Sequence, residues 1–380
     1  MYLKPGKEKA LGRRHPWVFS GAFRQLPEHL EEGSLVKIMD SNERFKAIGF
    51  FRRGSVAVMI LSFEDSDNVQ SLISAHLTQA ISYRKRIGLL DRDGTDCCRL
   101  VFGEGDQLPG LIIDKYAQTA VIQTHHAGWA PFLDLIKGSL NDEFVKYFYH
   151  KPAGKMEQSE KGWLGNKPEE NEIREYGHRF VVDWEEGQKT GFFLDQRENR
   201  QRLATLAKDK NILNTFSYTG GFSVYALANG AKNVTSVDIS QPAVDLANTN
   251  AEINGFSSRH TGITSDVLQY LKNKGGDFDI IILDPPAFSK SRRTIHKALQ
   301  AYKRLNSRAI STIKTGGLIF TFSCSQHMTA QLFEDTIRAA AIEAGRPVRI
   351  VERLGQPADH PVNIYHPEGA YLKGLILAVD

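Results

Sequence analysis

Apolar positions change their spacing along this chain, and each change marks a different kind of element. Residues 34–40, 45–50 and 55–60 alternate or run apolar between polar or Gly-containing stretches, the pattern of short strands in a small β-barrel. From residue 71 to about 92 the spacing turns helical, with Leu72, Ala75, Leu77, Ile81, Tyr83, Ile87 and Leu90 on an imperfect apolar face. Residues 99–102, 110–114 and 120–123 then read as strands, 132–140 as a helix and 144–149 as a strand, giving a small α+β unit. Residues 151 to about 172 carry Lys, Glu, Gly, Asn and Pro with few apolar side chains and read as a mobile loop or linker.

The pattern then alternates: strand 212–216, helix 222–229, strand 234–237, helix 242–254, strand 278–283. Such alternation predicts a parallel sheet with helices on both faces, an α/β fold. A length of 380 residues fits two or three domains at roughly 150 residues each. The boundaries expected are 1–70 for the barrel, 71–175 for the central α+β domain and 176–380 for the α/β domain.

Composition changes this picture little. Apolar residues at 41% and charged residues at 24% are ordinary globular values and speak against disorder or a fibrous architecture. No apolar run approaches the roughly 20 residues of a spanning helix, and the first residues lack the apolar core of a signal peptide. A cytoplasmic protein with no membrane partner is expected. Three cysteines, two of them the neighbours Cys97 and Cys98, make neither a disulfide framework nor the paired spacing of a zinc site, so no metal is expected. Net charge is only +4, but basic residues recur in groups: Lys7, Lys9, Arg13, Arg14 and His15; Arg52 and Arg53; Arg84, Lys85 and Arg86; Lys290, Arg292, Arg293 and Lys297. Each group reads as solvated surface or as part of a phosphate-contacting face.

The candidate chemistry lies in the α/β half. In Phe216-Ser217-Tyr218-Thr219-Gly220-Gly221 a strand turns into a helix through two glycines, which lets backbone approach a ligand. The turn lacks a full G-x-G-x-x-G and the G-K-[ST] of a P-loop, which disfavours phosphate. Asp238, followed by Ile239, ends the next strand about 18 residues on, where an acid can accept from both ribose hydroxyls. Asp266 follows the third strand; it reads equally as an acceptor for an exocyclic amine and as the N-cap of a helix. Together these point to S-adenosylmethionine, an adenosine bearing a sulfonium rather than phosphates.

Asp284-Pro285-Pro286-Ala287-Phe288 ends a buried strand, with prolines that stiffen the backbone and hold a carboxylate near a ligand. Its plainer reading is a strand terminator. Cys324 ends another apolar strand, in Phe320-Thr321-Phe322-Ser323-Cys324-Ser325, and reads either as a small buried hydrophobe or as a nucleophile facing the crevice. A thiolate adding at carbon 6 of a pyrimidine makes carbon 5 nucleophilic enough to take a methyl group, with Asp284 meeting the ring nitrogen edge. His327, Lys290, Arg292 and Arg293 lie near these motifs in sequence and read as surface or as phosphate contacts.

At these residues the chain resembles the RlmI-like methyltransferases, which modify carbon 5 of a cytosine in 23S ribosomal RNA. Gly12-Arg13-Arg14-His15-Pro16-Trp17 is similar to the opening of that family's PUA domain, an RNA-binding pseudo-barrel. Arg99 to Asp106 with Leu108 to Leu111 resembles its EEHEE domain, and Tyr365 to Gly374 its closing strand region. The resemblance implies a Rossmann-like class I methyltransferase domain, S-adenosylmethionine as cofactor, and Cys324 and Asp284 as catalytic residues. It implies cofactor contacts at Lys189, Thr190, Asp195, Gln196 and Arg197 beside Phe216 to Gly220, Asp238, Ile239, Asp266 and Asp284. Substrate contacts would come from Pro285, Pro286, Phe288, Arg13 and Arg14, with 23S ribosomal RNA, naked or in an assembling subunit, as partner. A homodimer is left open. A related guanine-methylating group shares the Asp-Pro-Pro segment, and Ser323-Cys324-Ser325 is the discriminator. A methyltransferase acting on another ribosomal RNA base, guanine or uracil, an RNA-binding assembly factor with a degenerate fold and a small-molecule methyltransferase are the other readings.

Overall fold

The computed structural model describes residues 1–90, 92–140, 145–154, 160–288 and 292–380. Phe144 of the expected strand, Lys290 and the side chain of Arg292 lie outside the described set. The chain forms two compact units: Met1–Ile173 with Val182–Leu194 and Ala358–Gly369, and Arg174–Val181 with Asp195–Pro357 and Ala370–Asp380.

The first unit holds two sheets. After a short helix α1 (Glu8–Leu11), strands β1 (Trp17–Phe19), β2 (Leu35–Met39), β3 (Phe45–Phe51) and β4 (Val56–Ser62) form an antiparallel sheet in the order β1-β4-β3-β2. Register shifts at Val18/Phe19, Ile38/Met39 and Ile48/Gly49 curve it around Leu3, Val18, Ile38, Ala47, Ala57, Val58 and Ile60. Helix α2 (Val69–Arg86), capped by Asn68 accepting from the Ser71 N–H, packs against the second core. That core is built on β5 (Cys97–Phe102), β6 (Leu111–Tyr116), β7 (Thr119–Thr124), β8 (Tyr147–His150) and β9 (Gly162–Trp163), in chain order across the sheet. Helix α3 (Leu133–Leu140) makes the crossover that lets β7 and β8 run parallel. Within the stretch expected as a loop, Gly162–Trp163 pairs with β8; two residues are too short to carry a periodic signal.

Buried polar contacts tie the later segments into this unit. Arg99 forms a fork with Asp114 (2.7 and 2.8 Å), and Asp114 also accepts from the Thr190 hydroxyl at 2.6 Å. Asp359 accepts from the Arg99 N–H at 2.9 Å, and its carbonyl accepts from Arg84 at 2.7 Å. Residues 182–194 and 358–369 thus join the first unit although they fall within 176–380 in sequence. Cys97 and Cys98 are buried, and none of the three cysteines is in a disulfide.

A two-stranded ribbon, β10 (Glu172–Glu175) and β11 (His178–Val181), precedes the second sheet. The second unit then runs α4 (Arg197–Ala204), β12 (Asn211–Thr215), α5 (Gly221–Ala228), β13 (Asn233–Asp238), α6 (Gln241–Ile253), β14 (His260–Thr264), α7 (Val267–Lys274), β15 (Ile280–Leu283), α8 (Ile295–Thr312), β16 (Gly317–Ser323), α9 (Ala330–Ala344), β17 (Val348–Leu354) and β18 (Lys373–Val379). The sheet order is β14-β13-β12-β15-β16-β18-β17, parallel through β16, with β18 antiparallel to both its neighbours. Both faces are covered, so β15 reads as an unbroken apolar run: Ile281 and Leu283 join one core with α8 and α9, and Ile280 and Ile282 the other with Phe222 of α5.

Candidate active site

Strand order reverses at β12, whose neighbours are β13 on one side and β15 on the other. Such a switch point opens a crevice outside the carboxyl ends of the strands. The turn after β12 enters it with Phe216, Tyr218 and Gly220 all at positive φ (55°, 42° and 72°). Two of these are not glycine, and a residue held in that region stores about 1–3 kcal/mol of strain, which the surroundings must overcome. They do so by pinning the turn. The Tyr218 N–H donates to Asp238 Oδ2 (3.1 Å), and Asn250 Nδ2 on α6 donates to the Thr219 carbonyl (2.8 Å). A Cβ at Gly220 would lie 3.0–3.1 Å from Ala247, so glycine also permits the close helix approach.

Asp238, at the end of β13, accepts from Tyr218 N–H on one oxygen and from Ser240 N–H (3.0 Å) on the other. Each carboxylate oxygen keeps accepting capacity for a ligand hydroxyl. Ser217 Oγ is buried with no hydrogen-bond partner among the described residues. Ile239 leaves its side chain 75% exposed beside Asp238, an apolar surface of the kind a purine ring covers. This donor and acceptor set fits an adenosine. Asp266 caps α7, with Oδ1 accepting from the Gln269 N–H at 2.9 Å, so its capping reading is realised.

Two further strand ends complete the crevice. Asp284 and Pro285 follow β15 directly, and Cys324 follows β16, its parallel neighbour. Cys324 is partly buried rather than sealed in the core. Pro285 is buried, Pro286 exposed, and Phe288 packs against Tyr302 of α8 with ring centroids 4.7 Å apart. The Tyr302 phenol is buried, and desolvation, with the charges of Cys324 and Asp284, raises its pKa far above the usual tyrosine value. It therefore stays protonated. Lys373 on β18 is also buried and sits within electrostatic reach of Cys324.

The implied contacts in residues 189–197 divide between the two units. Asp195, Gln196 and Arg197 are buried in the second; Asp195 accepts from the Tyr371 hydroxyl, and Gln196 Oε1 accepts from Asn199 Nδ2 at 2.6 Å. Lys189 and Thr190 belong to the first unit. The Thr190 hydroxyl is committed to Asp114 and Tyr116, and the Lys189 ammonium lies 4.5 Å from the Phe193 ring centroid. Arg13 and Arg14 are exposed in the first unit, Arg14 over the Phe63 ring.

Among the described residues, His15, His366 and Glu368 have the spacing of metal ligands. His15 Nδ1, however, accepts from the Trp17 N–H at 3.1 Å, which leaves the proton on Nε2, 3.4 Å from Glu368. With Nδ1 occupied, His15 could meet a metal only through Nε2, and a metal-bound histidine ordinarily donates through its other nitrogen. His15 and Glu368 form a hydrogen-bonded contact, and His366 Nε2 lies 3.8 Å from the same carboxylate.

Residues 148–377 match the S-adenosylmethionine-dependent methyltransferase family, and residues 1–63 match the PUA-like domain. The chain is 38% identical to the ribosomal RNA large subunit methyltransferase I of Alteromonas mediterranea, over 99% of this chain and 98% of the relative. The chain belongs to the ribosomal RNA large subunit methyltransferase I family. The enzyme of that name from Klebsiella pneumoniae is also 38% identical, over 100% of this chain and 98% of its own length. SMU.776, named as a methyltransferase and solved complexed with SAH, shares the fold at a TM-score of 0.87 and 24% identity, with 100% of this chain and 99% of that one covered. Membership makes the protein an S-adenosylmethionine-dependent methyltransferase. Within this family's fold, residue patterns did not single out Tyr302, Asn250 or Lys373. Tyr302 and Asn250 sit mid-helix without a local motif, and Lys373 lies in an otherwise apolar strand, where its break in the pattern is a usable signal.

Proposed function

We propose that this enzyme forms 5-methylcytosine in 23S ribosomal RNA through a covalent adduct between Cys324 and carbon 6 of the target base. The observation that carries the reading is the pair of adjacent parallel strands, β15 and β16, ending in Asp284 and Cys324 at one crevice. The names of the relatives support a large-subunit ribosomal RNA substrate. When bound, S-adenosylmethionine supplies a methyl group on a sulfonium. Phe216 to Gly220, Asp238, Ile239 and Asp284 hold it, with Asp238 accepting from the ribose. Asp195, Gln196 and Arg197 close the cofactor site through their buried positions.

Cys324 acts as a thiolate. Its sulfur forms a bond to carbon 6, the electrons of the 5,6 double bond move toward the ring nitrogen edge, and Asp284, as a carboxylic acid, donates a proton there and takes it back when the ring is restored. Carbon 5 then takes the methyl group, and the methyl–sulfur bond that breaks leaves its electron pair on sulfur as a neutral thioether that departs. Loss of the carbon 5 proton to a base restores the double bond and expels the thiolate. Pro285, Pro286 and Phe288 form a stiff, partly apolar platform for the base, and exposed Arg13 and Arg14 contact RNA phosphate.

Cys324→Ala removes the nucleophile. The expected outcome is retained cofactor affinity by calorimetry with no methyl transfer to 23S RNA, read by nucleoside mass spectrometry. Wild-type rates in this variant would overturn the covalent step and favour a guanine nitrogen as target.

A further inference from the structure

Lys373 stands out because an ammonium is costly to bury, yet it is 9% exposed at the start of the apolar strand β18. It pairs across the sheet with Ser323, the residue before Cys324. Its Nζ donates to the carbonyl of Ser325, the residue after Cys324, at 2.6 Å and to that of Tyr371 at 2.7 Å. The ammonium therefore grips the backbone on the far side of the cysteine while its own strand holds the near side. Two carbonyls leave one N–H of the three available for another acceptor.

We propose that Lys373 is the positive charge that keeps the Cys324 thiol ionised near neutral pH, acting as a positioning residue through that thiol. This rests on Cys324 being the nucleophile. A nearby cation lowers a thiol pKa because it favours the charged form, and the thiolate favours the ammonium in return. Burial draws the Lys373 pKa down to about 8, and the negative charge of Cys324 raises it. Three other described titratable groups near this corner carry no positive charge. Tyr302 from α8 stays a neutral phenol, Asp284 from the end of β15 is anionic when ionised, and Tyr371 donates its hydroxyl to Asp195. The thiol proton leaves to solvent, and no bond to Lys373 forms.

The test is the pH profile of iodoacetamide alkylation at Cys324, quantified by mass spectrometry of its peptide in the full-length chain; the buried Cys97 and Cys98 are followed separately. Wild-type protein should react with a midpoint below the roughly 8.5 of a free thiol. In Lys373→Gln the midpoint should rise by about one unit, with about tenfold slower alkylation at pH 7. Lys373→Arg should restore the wild-type profile. A folded Lys373→Gln with unchanged profile, checked by its melting temperature and cofactor binding, overturns the proposal. So does a wild-type midpoint at the free-thiol value, a result that needs no variant to fold. Failure of the nucleophile reading looks different: Cys324→Ala would retain methyl transfer while the Lys373-dependent shift in alkylation persisted.

Discussion

Asp238 shows how one side chain serves both the protein and a ligand. Its two oxygens brace the strained turn after β12 and the start of α6 through the N–H groups of Tyr218 and Ser240. In the proposed complex the same oxygens accept from ribose. Asp238→Ala should lower affinity for S-adenosylhomocysteine roughly tenfold or more, since hydrogen bonds to a charged group contribute about 1.5–3 kcal/mol each. Calorimetry checks this, and unchanged affinity would remove Asp238 from the cofactor site. The strand-end position of this acid was legible from spacing alone. Its bracing role was not, because both donors are backbone groups that no residue pattern reveals.

At the level of elements, the ribbon β10–β11 is held to the second unit by buried charge. Glu175 Oε1 accepts from Arg200 Nε (2.9 Å) and Nη2 (2.6 Å) on α4 and from the Tyr225 hydroxyl (2.9 Å) on α5. Breaking one side of a buried pair strands the other charge at about 3–5 kcal/mol. Arg200→Met should therefore lose stability in that range, and Arg200→Met with Glu175→Gln should recover much of it, in chemical denaturation followed by circular dichroism. A double variant as unstable as the single one would show that the carboxylate was never the problem. The sequence carried β12, β13 and β15 with α5 and α6 clearly, since their apolar runs and periodic helices mark them, whereas β14, His260–Thr264, has one apolar side chain and was seen only as a strand before Asp266. It did not carry the ribbon, β17 or β18: β17 is the mixed run Val348–Leu354 on the sheet edge, and β10 and β11 are four residues each.

Over the whole molecule, all four tryptophans, Trp17, Trp129, Trp163 and Trp184, fall in the first unit. Intrinsic tryptophan fluorescence therefore follows that unit, while far-ultraviolet circular dichroism follows both. Asp359→Ala leaves the buried Arg99 N–H without its side-chain acceptor, at a cost of about 1–3 kcal/mol. It should move the fluorescence midpoint, and Arg200→Met should not. Equal shifts of both signals by both variants would mean that the two units unfold as one cooperative body. That residues 182–194 and 358–369 return to the first unit was not legible, because a partner distant in sequence leaves no local trace; Asp359 meets Arg99 across 260 positions.

The place of β18 has a consequence for how the enzyme is made. It lies between β16 and β17, yet the ribosome synthesises it after both. Until Lys373–Val379 emerges, β16 ends at an open edge and β17 has no neighbour to pair with. The same late strand brings Lys373 to the cysteine. A nascent chain can thus pair its early parallel strands before Cys324 gains Lys373 as a neighbour, and the sheet is closed from within only by β18.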